Sequence, residues 1–186
     1  MQIGVIAEEH NDVEVLEEIT AKIISKNKFS FKRFVGHGCG KFRRKCGSWA
    51  QNLLDRGCSH LVILHDLDVN DESKLRKDLQ EQVRGIRFKG CIVLIPVHEI
   101  EAWLLADPEA ICKTFNFRRV FKLKKNPELI IRPKEELRDL VWKHGQKRYL
   151  HTIHNRKIAK NIKIRRLNAC SSFIPYPKFV AHIFSE

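Results

Sequence analysis

Residues 61–71, LVILHDLDVND, set four apolar residues and His65 directly before Asp66 and Asp68. A short unbroken apolar run of this kind reads as a buried parallel strand, and the two aspartates stand where it ends. Asp at i and i+2 of an extended segment points both carboxylates to one side, where they repel unless a cation lies between them. Oxygen donors alone favour Mg²⁺ or Mn²⁺. The plainer reading of residues 66–71 is turn and N-cap chemistry ahead of a helix starting near Ser73, and at this point both readings stand.

Acids also stand at two other strand ends. Residues 2–7 are rich in Ile and Val and lead into Glu8, Glu9, His10, Asn11 and Asp12. Val13, Leu16, Ile19 and Ile23 then form a helical stripe, for which Asn11 or Asp12 is the expected N-cap. Residues 90–97, GCIVLIPV, read as another buried strand, and Glu99 and Glu101 follow in the first turn of a helix whose apolar face is Ile100, Trp103 and Leu104. Glutamates there also serve simply as complements to the helix macrodipole. In a parallel sheet the carboxyl ends of the strands share one edge. Glu8 with Asp12, Asp66 with Asp68, and Glu99 with Glu101 are therefore expected within reach of one or two cations.

The elements that must position these groups alternate: strand 2–7, a helix from Asp12, strand 29–35, helix 48–57, the strand from Leu61, helix 73–83 and strand 90–97. That order predicts an α/β fold, a Rossmann-like parallel sheet with helices on both faces and right-handed crossovers. Beyond Pro108 the pattern predicts only helices, at 108–115, 133–144, 152–162 and 177–185. The expected organisation is an α/β catalytic core over 1–112 and a basic, mainly helical extension over 113–186 packed on it. Gly36, His37, Gly38, Cys39 and Gly40 form an expected loop before the basic cluster Lys41, Arg43, Arg44 and Lys45. Its glycines would let backbone approach a phosphate, and a plain surface loop fits as well.

The formal charge of +13 is unevenly spread. Residues 1–112 carry 16 Lys and Arg against 17 Asp and Glu, whereas residues 113–186 carry 19 against 5. A near-neutral half with clustered carboxylates and a strongly basic half suit metal chemistry joined to a grip on a polyanion. Contacts to nucleic acid are expected from Lys41, Arg43, Arg44, Lys134, Arg148, Arg156 and Lys157. No apolar run approaches the ~18 residues that span a bilayer, and MQIGVIAEEH lacks the pattern of a signal peptide, so no membrane partner and a cytoplasmic location are expected. The six cysteines are then reduced thiols. His37, Cys39, Cys46, Cys58 and His60 offer zinc-ligand types but no paired CxxC spacing, so buried thiols are the stronger expectation.

A glutamate closing a first strand, a helix opening at an aspartate four residues later, and a DxD closing a later strand resemble the Toprim domain of topoisomerases, primases and the overcoming-lysogenization-defect nucleases. The matching positions are Glu8 with Asp12, and Asp66 with Asp68. The segment HEIEAWLLAD, residues 98–107, and Ser171, Ser172 and Phe173 resemble a stand-alone Toprim-like family of unknown function, and with Glu8, Asp12, Asp66 and Asp68 the resemblance spans most of the chain. Glu9 stands where Toprim proteins usually have glycine, and His151 where a lysine is expected. The resemblance implies a Toprim-type metal-dependent nuclease. Mg²⁺ or Mn²⁺ would be held by Glu8, Asp66 and Asp68, with Glu99 or Glu101 for a second ion and Asp12 and Asp71 as weaker ligands. Lys147, Arg148 or His151 would supply the transition-state cation. It also implies DNA or transfer RNA as substrate, a separately encoded ABC- or SMC-like ATPase as partner in prokaryotic antiphage defence, and a possible homo-oligomer. The competing expectation is a non-catalytic nucleic-acid-binding or regulatory subunit. A topoisomerase is disfavoured by the short chain and by the lack of context around Tyr149 and Tyr176.

Overall fold

The computed structural model describes residues 1–24, 28–36 and 39–185, with the side chains of residues 39–41 left aside. Four strands, β1 (Gln2–Ala7), β2 (Ser30–Val35), β3 (His60–Leu64) and β4 (Gly90–Leu94), form one sheet in the order β2-β1-β3-β4. Every pairing is parallel, with Val5 opposite Val62 and Val62 opposite Ile92. The expected α/β architecture is therefore present.

Strand alternation decides which layer each residue enters, because successive side chains point to opposite faces. Ile3, Val5, Val62, Leu64 and Leu94 enter one apolar cluster, and Ile6, Leu61, Ile63 and Val93 the other. Helices α2 (Cys39–Asp55) and α3 (Glu72–Val83) cover the second face with Phe42, Cys46, Leu53, Leu75 and Leu79. Gly4 permits the close approach of α2, since a Cβ there would stand 3.0 Å from Leu53 Cδ1. The first face is covered by α1 (His10–Ile23) and by later helices, among them α7 (His151–Asn161) and α9 (Pro175–Ile183). The chain steps one way from β1 to β2 and the other way from β2 to β3, so right-handed crossovers put α1 and α2 on opposite faces. The strand order thus reverses between β1 and β3. In open α/β sheets the crevice at the carboxyl side of that point is where ligands bind.

Several expectations need correction. The N-cap of α1 is Glu9, not Asn11 or Asp12, and Asp12 instead accepts from the Glu9 backbone N–H at 2.9 Å, three residues back. Helix α2 begins at Cys39, so Arg43, Arg44 and Lys45 lie on a helix and not behind a loop. Phe42, Cys46, Ala50 and Leu53 are buried along it, a spacing of three to four that carries the helix through the glycines. His37 and Gly38 lie outside the described residues, as do the side chains of Cys39 and Lys41. A division after residue 112 falls inside α5 (Pro108–Phe115), and one apolar cluster runs from Ile3 to Ile183 across it. The C-terminal half is the layer that closes one side of the sheet. It comprises α6 (Pro133–Gly145), α7, α8 (Ile164–Leu167) and α9, and α4 (Glu101–Leu105) and α5 join it from just ahead of residue 113. No helix among the described residues is long and apolar enough to cross a membrane.

Candidate functional site

At the carboxyl edge of β1, β3 and β4, a pocket of about 150 Å³ is lined by Glu8, Glu9, Asp12, Asp66, Asp68, Glu99, Glu101 and Lys134. All six carboxylates expected from three separate strand ends thus meet in one place. Each arrives by a distinct local device. Glu8 directly follows β1, and its Oε1 lies 2.8 Å from His65 Nδ1 and accepts from the Asp66 N–H at 3.2 Å. His65 is fully buried against Phe42, ring centroids 4.9 Å apart, so the glutamate is aimed by a fixed imidazole from the neighbouring strand. Asp12 is turned inward by its bond to Glu9 N–H.

Beyond β3 the backbone stays tied to the segment after β4. His65, Leu67 and Asp68 donate to Leu94, Pro96 and His98 at 3.1, 3.0 and 3.0 Å. Asp68 and His98, joined by the last of these bonds, both have left-handed backbone, with φ of 47° and 63°. Side chains other than glycine adopt that conformation sparingly, and the turn reorients Asp68 relative to the extended geometry expected for a DxD pair. Asp71 is the N-cap of α3 and accepts from Lys74 N–H at 2.8 Å, so its carboxylate is occupied in capping.

Glu101 lies deepest, 1 % exposed. Its Oε1 accepts from Asn155 Nδ2 at 3.0 Å and lies 3.2 Å from the Tyr149 hydroxyl, which also donates to Asn155 Oδ1. Its Oε2 is buried without a hydrogen-bond partner among the described residues. Lys134, at the start of α6, reaches the pocket from the basic half: its N–H donates to Glu99 Oε2 at 3.0 Å, and its Nζ lies 3.5 Å from Glu99 and 3.9 Å from Glu101.

One lysine cannot neutralise this many acids, and the protonation equilibria show it. Burial pushes Asp12 up to about 8. Burial, followed by the charges of Asp12 and Glu101, holds Asp66 well above the carboxylate range. Asp68 is raised by burial and by Glu8, and Glu101 by burial in spite of Lys134. Burial alone would lower the Lys134 ammonium, but Glu101 and Glu99 outweigh it and hold it above its usual value. Burial and Glu101 likewise raise the Tyr149 phenol, which stays a neutral donor.

The donor set fits a hard divalent cation: oxygen ligands only, excess negative charge and an orphaned buried Glu101 oxygen. Among the described residues, no three Asp, Glu, His or Cys side chains are grouped as a finished metal cage. Mg²⁺ does not require one, because it retains several waters and uses one or two carboxylates. The cysteines make no zinc site there either. Cys46, Cys58, Cys112 and Cys170 are buried free thiols, with Cys46 and Cys170 pushed up to about 12 chiefly by burial.

The basic residues disperse. Lys134, expected at a phosphate backbone, stands among the acids. Lys147, expected as a transition-state cation, donates to the Phe115 carbonyl at 2.6 Å outside the acidic pocket, and His151 Nε2 lies 3.3 Å from Glu9. Arg156 is tied to Glu18 at 2.9 Å and Glu14 at 3.2 Å, fastening α7 to α1. Arg43 donates to Asn70 Oδ1 at 2.6 Å. Arg44, Arg148 and Lys157 are exposed. Sequence reasoning did not single out Asn155, whose bonds to Glu101 and Tyr149 join sites 54 and 6 residues away. No local pattern marks such a contact. His65 was in view only as part of an apolar strand, although a histidine inside such a run is itself a signal.

A search of curated proteins and a search of solved structures each found no match. One family model does match, over residues 7–176, from the end of β1 into α9, and so takes in every acid of the pocket. The chain belongs to that family, the domain of unknown function DUF4276.

Proposed function

We propose that this protein is a metal-dependent nuclease of Toprim type that hydrolyses phosphodiester bonds in DNA or RNA. The observation that carries this reading is the meeting of Glu8, Asp12, Asp66, Asp68, Glu99 and Glu101 in one pocket at the switch point of a parallel sheet. Glu8, Asp66 and Asp68 would hold Mg²⁺ or Mn²⁺, with Glu99 and Glu101 available to a second ion. The ion would supply Lewis acidity toward the phosphoryl oxygens and an acidified water. The chain's own groups do the rest. His65 and the Asp66 N–H keep Glu8 aimed. Lys134, the only cation lining this pocket among the described residues, places positive charge where a phosphodiester gains negative charge at five-coordinate phosphorus. It therefore takes the role expected of Lys147. Tyr149 and Asn155 fix Glu101 in one orientation.

The competing reading is a non-catalytic nucleic-acid-binding subunit, favoured by one observation: no three acidic side chains are grouped as a metal cage among the described residues. Incubating purified protein with supercoiled plasmid, linear DNA and total transfer RNA, with Mg²⁺, Mn²⁺ or EDTA, separates the two. Metal-dependent cutting that disappears in Asp66→Ala/Asp68→Ala is the expected result. Absence of cutting, with equal nucleic-acid binding by both proteins, gives the role to the subunit.

A further inference from the structure

Two larger grooves continue outward from the acidic pocket. The first, about 800 Å³, shares Asp68, Glu99 and Lys134 with it. The second, about 480 Å³, shares Arg138, Tyr149 and Leu150 with the first and ends at Trp142, Lys147 and Arg148. One helix face links the three spaces. Lys134, Arg138 and Trp142 recur every four residues along α6 and so share one side of it, about 12 Å from first to last at 1.5 Å per residue. Trp142 is 64 % exposed, far above the other tryptophans, of which Trp103 is buried and Trp49 partly so. Arg138 and Arg148 are also exposed. Acids are present too: Glu135 in the first groove lies 3.3 Å from Arg132, and Asp139 in the second lies 3.4 Å from Arg138.

We propose that this groove binds single-stranded nucleic acid, with one base stacked on Trp142, backbone phosphates at Arg138 and Arg148, and the strand led along α6 into the acidic pocket. The identification rests on the nuclease reading for what happens in the pocket, but not for the binding itself. An exposed indole beside guanidinium groups is the stacking platform and charged track that single strands use. A duplex offers no unpaired base face along its length, so its stacked pairs cannot use Trp142 except at an end. A span of about 12 Å accommodates at most about three nucleotides, because about 3.4 Å is the rise of a strand stacked in a duplex and an unstacked strand is longer per nucleotide. The pocket would therefore act on a strand end, a flap or an unpaired loop.

Fluorescence anisotropy of labelled twelve-nucleotide single-stranded DNA, single-stranded RNA and blunt duplex, titrated in EDTA, tests this without any chemistry. Wild-type protein binds at least one single strand more tightly than the duplex. Trp142→Ala weakens that binding by about 10-fold to 100-fold, the usual loss on removing one stacked base, while Trp142→Phe keeps most of it. Because Trp142 is exposed, the Ala variant keeps its circular dichroism and melting temperature. The DNA and RNA arms decide which polymer is preferred. Single-strand binding within two-fold of wild type in Trp142→Ala, or equal loss on duplex and single strand, overturns the proposal, as does failure to bind any oligonucleotide, which leaves the face to a protein partner. Trp142-dependent binding with no cleavage under any metal would leave the groove standing and remove the nuclease.

Discussion

At the scale of single residues, the proposed metal binding sets protons against cations in the pocket. A carboxyl whose folded pKa exceeds its unfolded value contributes stability that is whole below the unfolded value and is lost as pH rises through the folded one. Asp12, raised to about 8, and Asp66 and Glu101, raised by burial, all have this sign. Cation-free protein should therefore lose stability from these groups between about pH 4 and pH 8. A divalent cation held as proposed would bind the deprotonated carboxylates, so its stabilisation would grow over the same interval. The melting temperature in EDTA is expected to fall from about pH 6 to about pH 8.5, and Mg²⁺ or Mn²⁺ to restore more of it at the higher pH. In Asp66→Asn/Asp68→Asn the metal-dependent gain should vanish. A gain in wild type that is the same at both pH values would uncouple the raised carboxylates from metal binding.

Between elements, a second carboxylate has the opposite sign. Glu128, in the short 3₁₀ turn Pro127–Leu129, accepts from the backbone N–H and the hydroxyl of both Ser171 and Ser172, at 2.5 to 3.0 Å. Ser172 Oγ accepts in turn from Trp103 Nε1 at 2.8 Å, so one glutamate ties α4, the 3₁₀ turn and the approach to α9 together. Burial would raise Glu128, but the serine bonds prevail and lower it. Its stability contribution is present above the unfolded value near 4.3 and lost as pH falls through the lower folded value. Glu128→Ala should cost about 2 kcal/mol in urea unfolding at neutral pH, and the deficit relative to wild type should shrink in acid. A deficit that is constant down to the lowest pH would mean that packing, not the carboxylate, is what Ala removes.

The same scale shows what can be read from a one-dimensional chain. Continuous apolar runs placed β3 and β4, an Ile- and Val-rich stretch placed β1, and residues 29–35 read as a strand despite the Lys32 and Arg33 inside it. The carboxylates that follow β1, β3 and β4 needed only a parallel sheet to bring them together. The first half of α2 was hidden because Gly36, Gly38 and Gly40 read as a loop, although Phe42, Cys46 and Ala50 already carry helical spacing. The serine–phenylalanine motif was visible, but its partner Glu128 lies 43 residues upstream, and no local pattern ties the two together. Lys134 reads from sequence only as one more phosphate contact, because the docking of α6 on α4 is what delivers it to Glu99 and Glu101.

For the whole molecule, the uneven charge suggests two domains, whereas packing makes one. The basic half supplies Leu137, Tyr149, Ile158, Phe173 and Tyr176 to the apolar cluster that also holds Ile3, Val5 and Leu64, and Tyr176 hydrogen-bonds to Thr20 of α1. It also supplies Lys134, Tyr149 and Asn155 to the acidic pocket, so a chain ending at residue 112 would lose a face of the sheet and the counter-charge of the site together. Uncovering large apolar side chains forfeits about 1.5–3 kcal/mol for each, and a few such losses exceed the usual 5–15 kcal/mol of a folded domain. A fragment of residues 1–112 is expected to show no cooperative thermal unfolding and no dispersed amide spectrum, whereas the full chain unfolds in one transition. A folded fragment would make the basic half a true appendage. An unfolded one would mean that the proposed nucleic-acid groove along α6 and the acidic pocket at the strand ends belong to a single core, so that the two cannot be exchanged as modules.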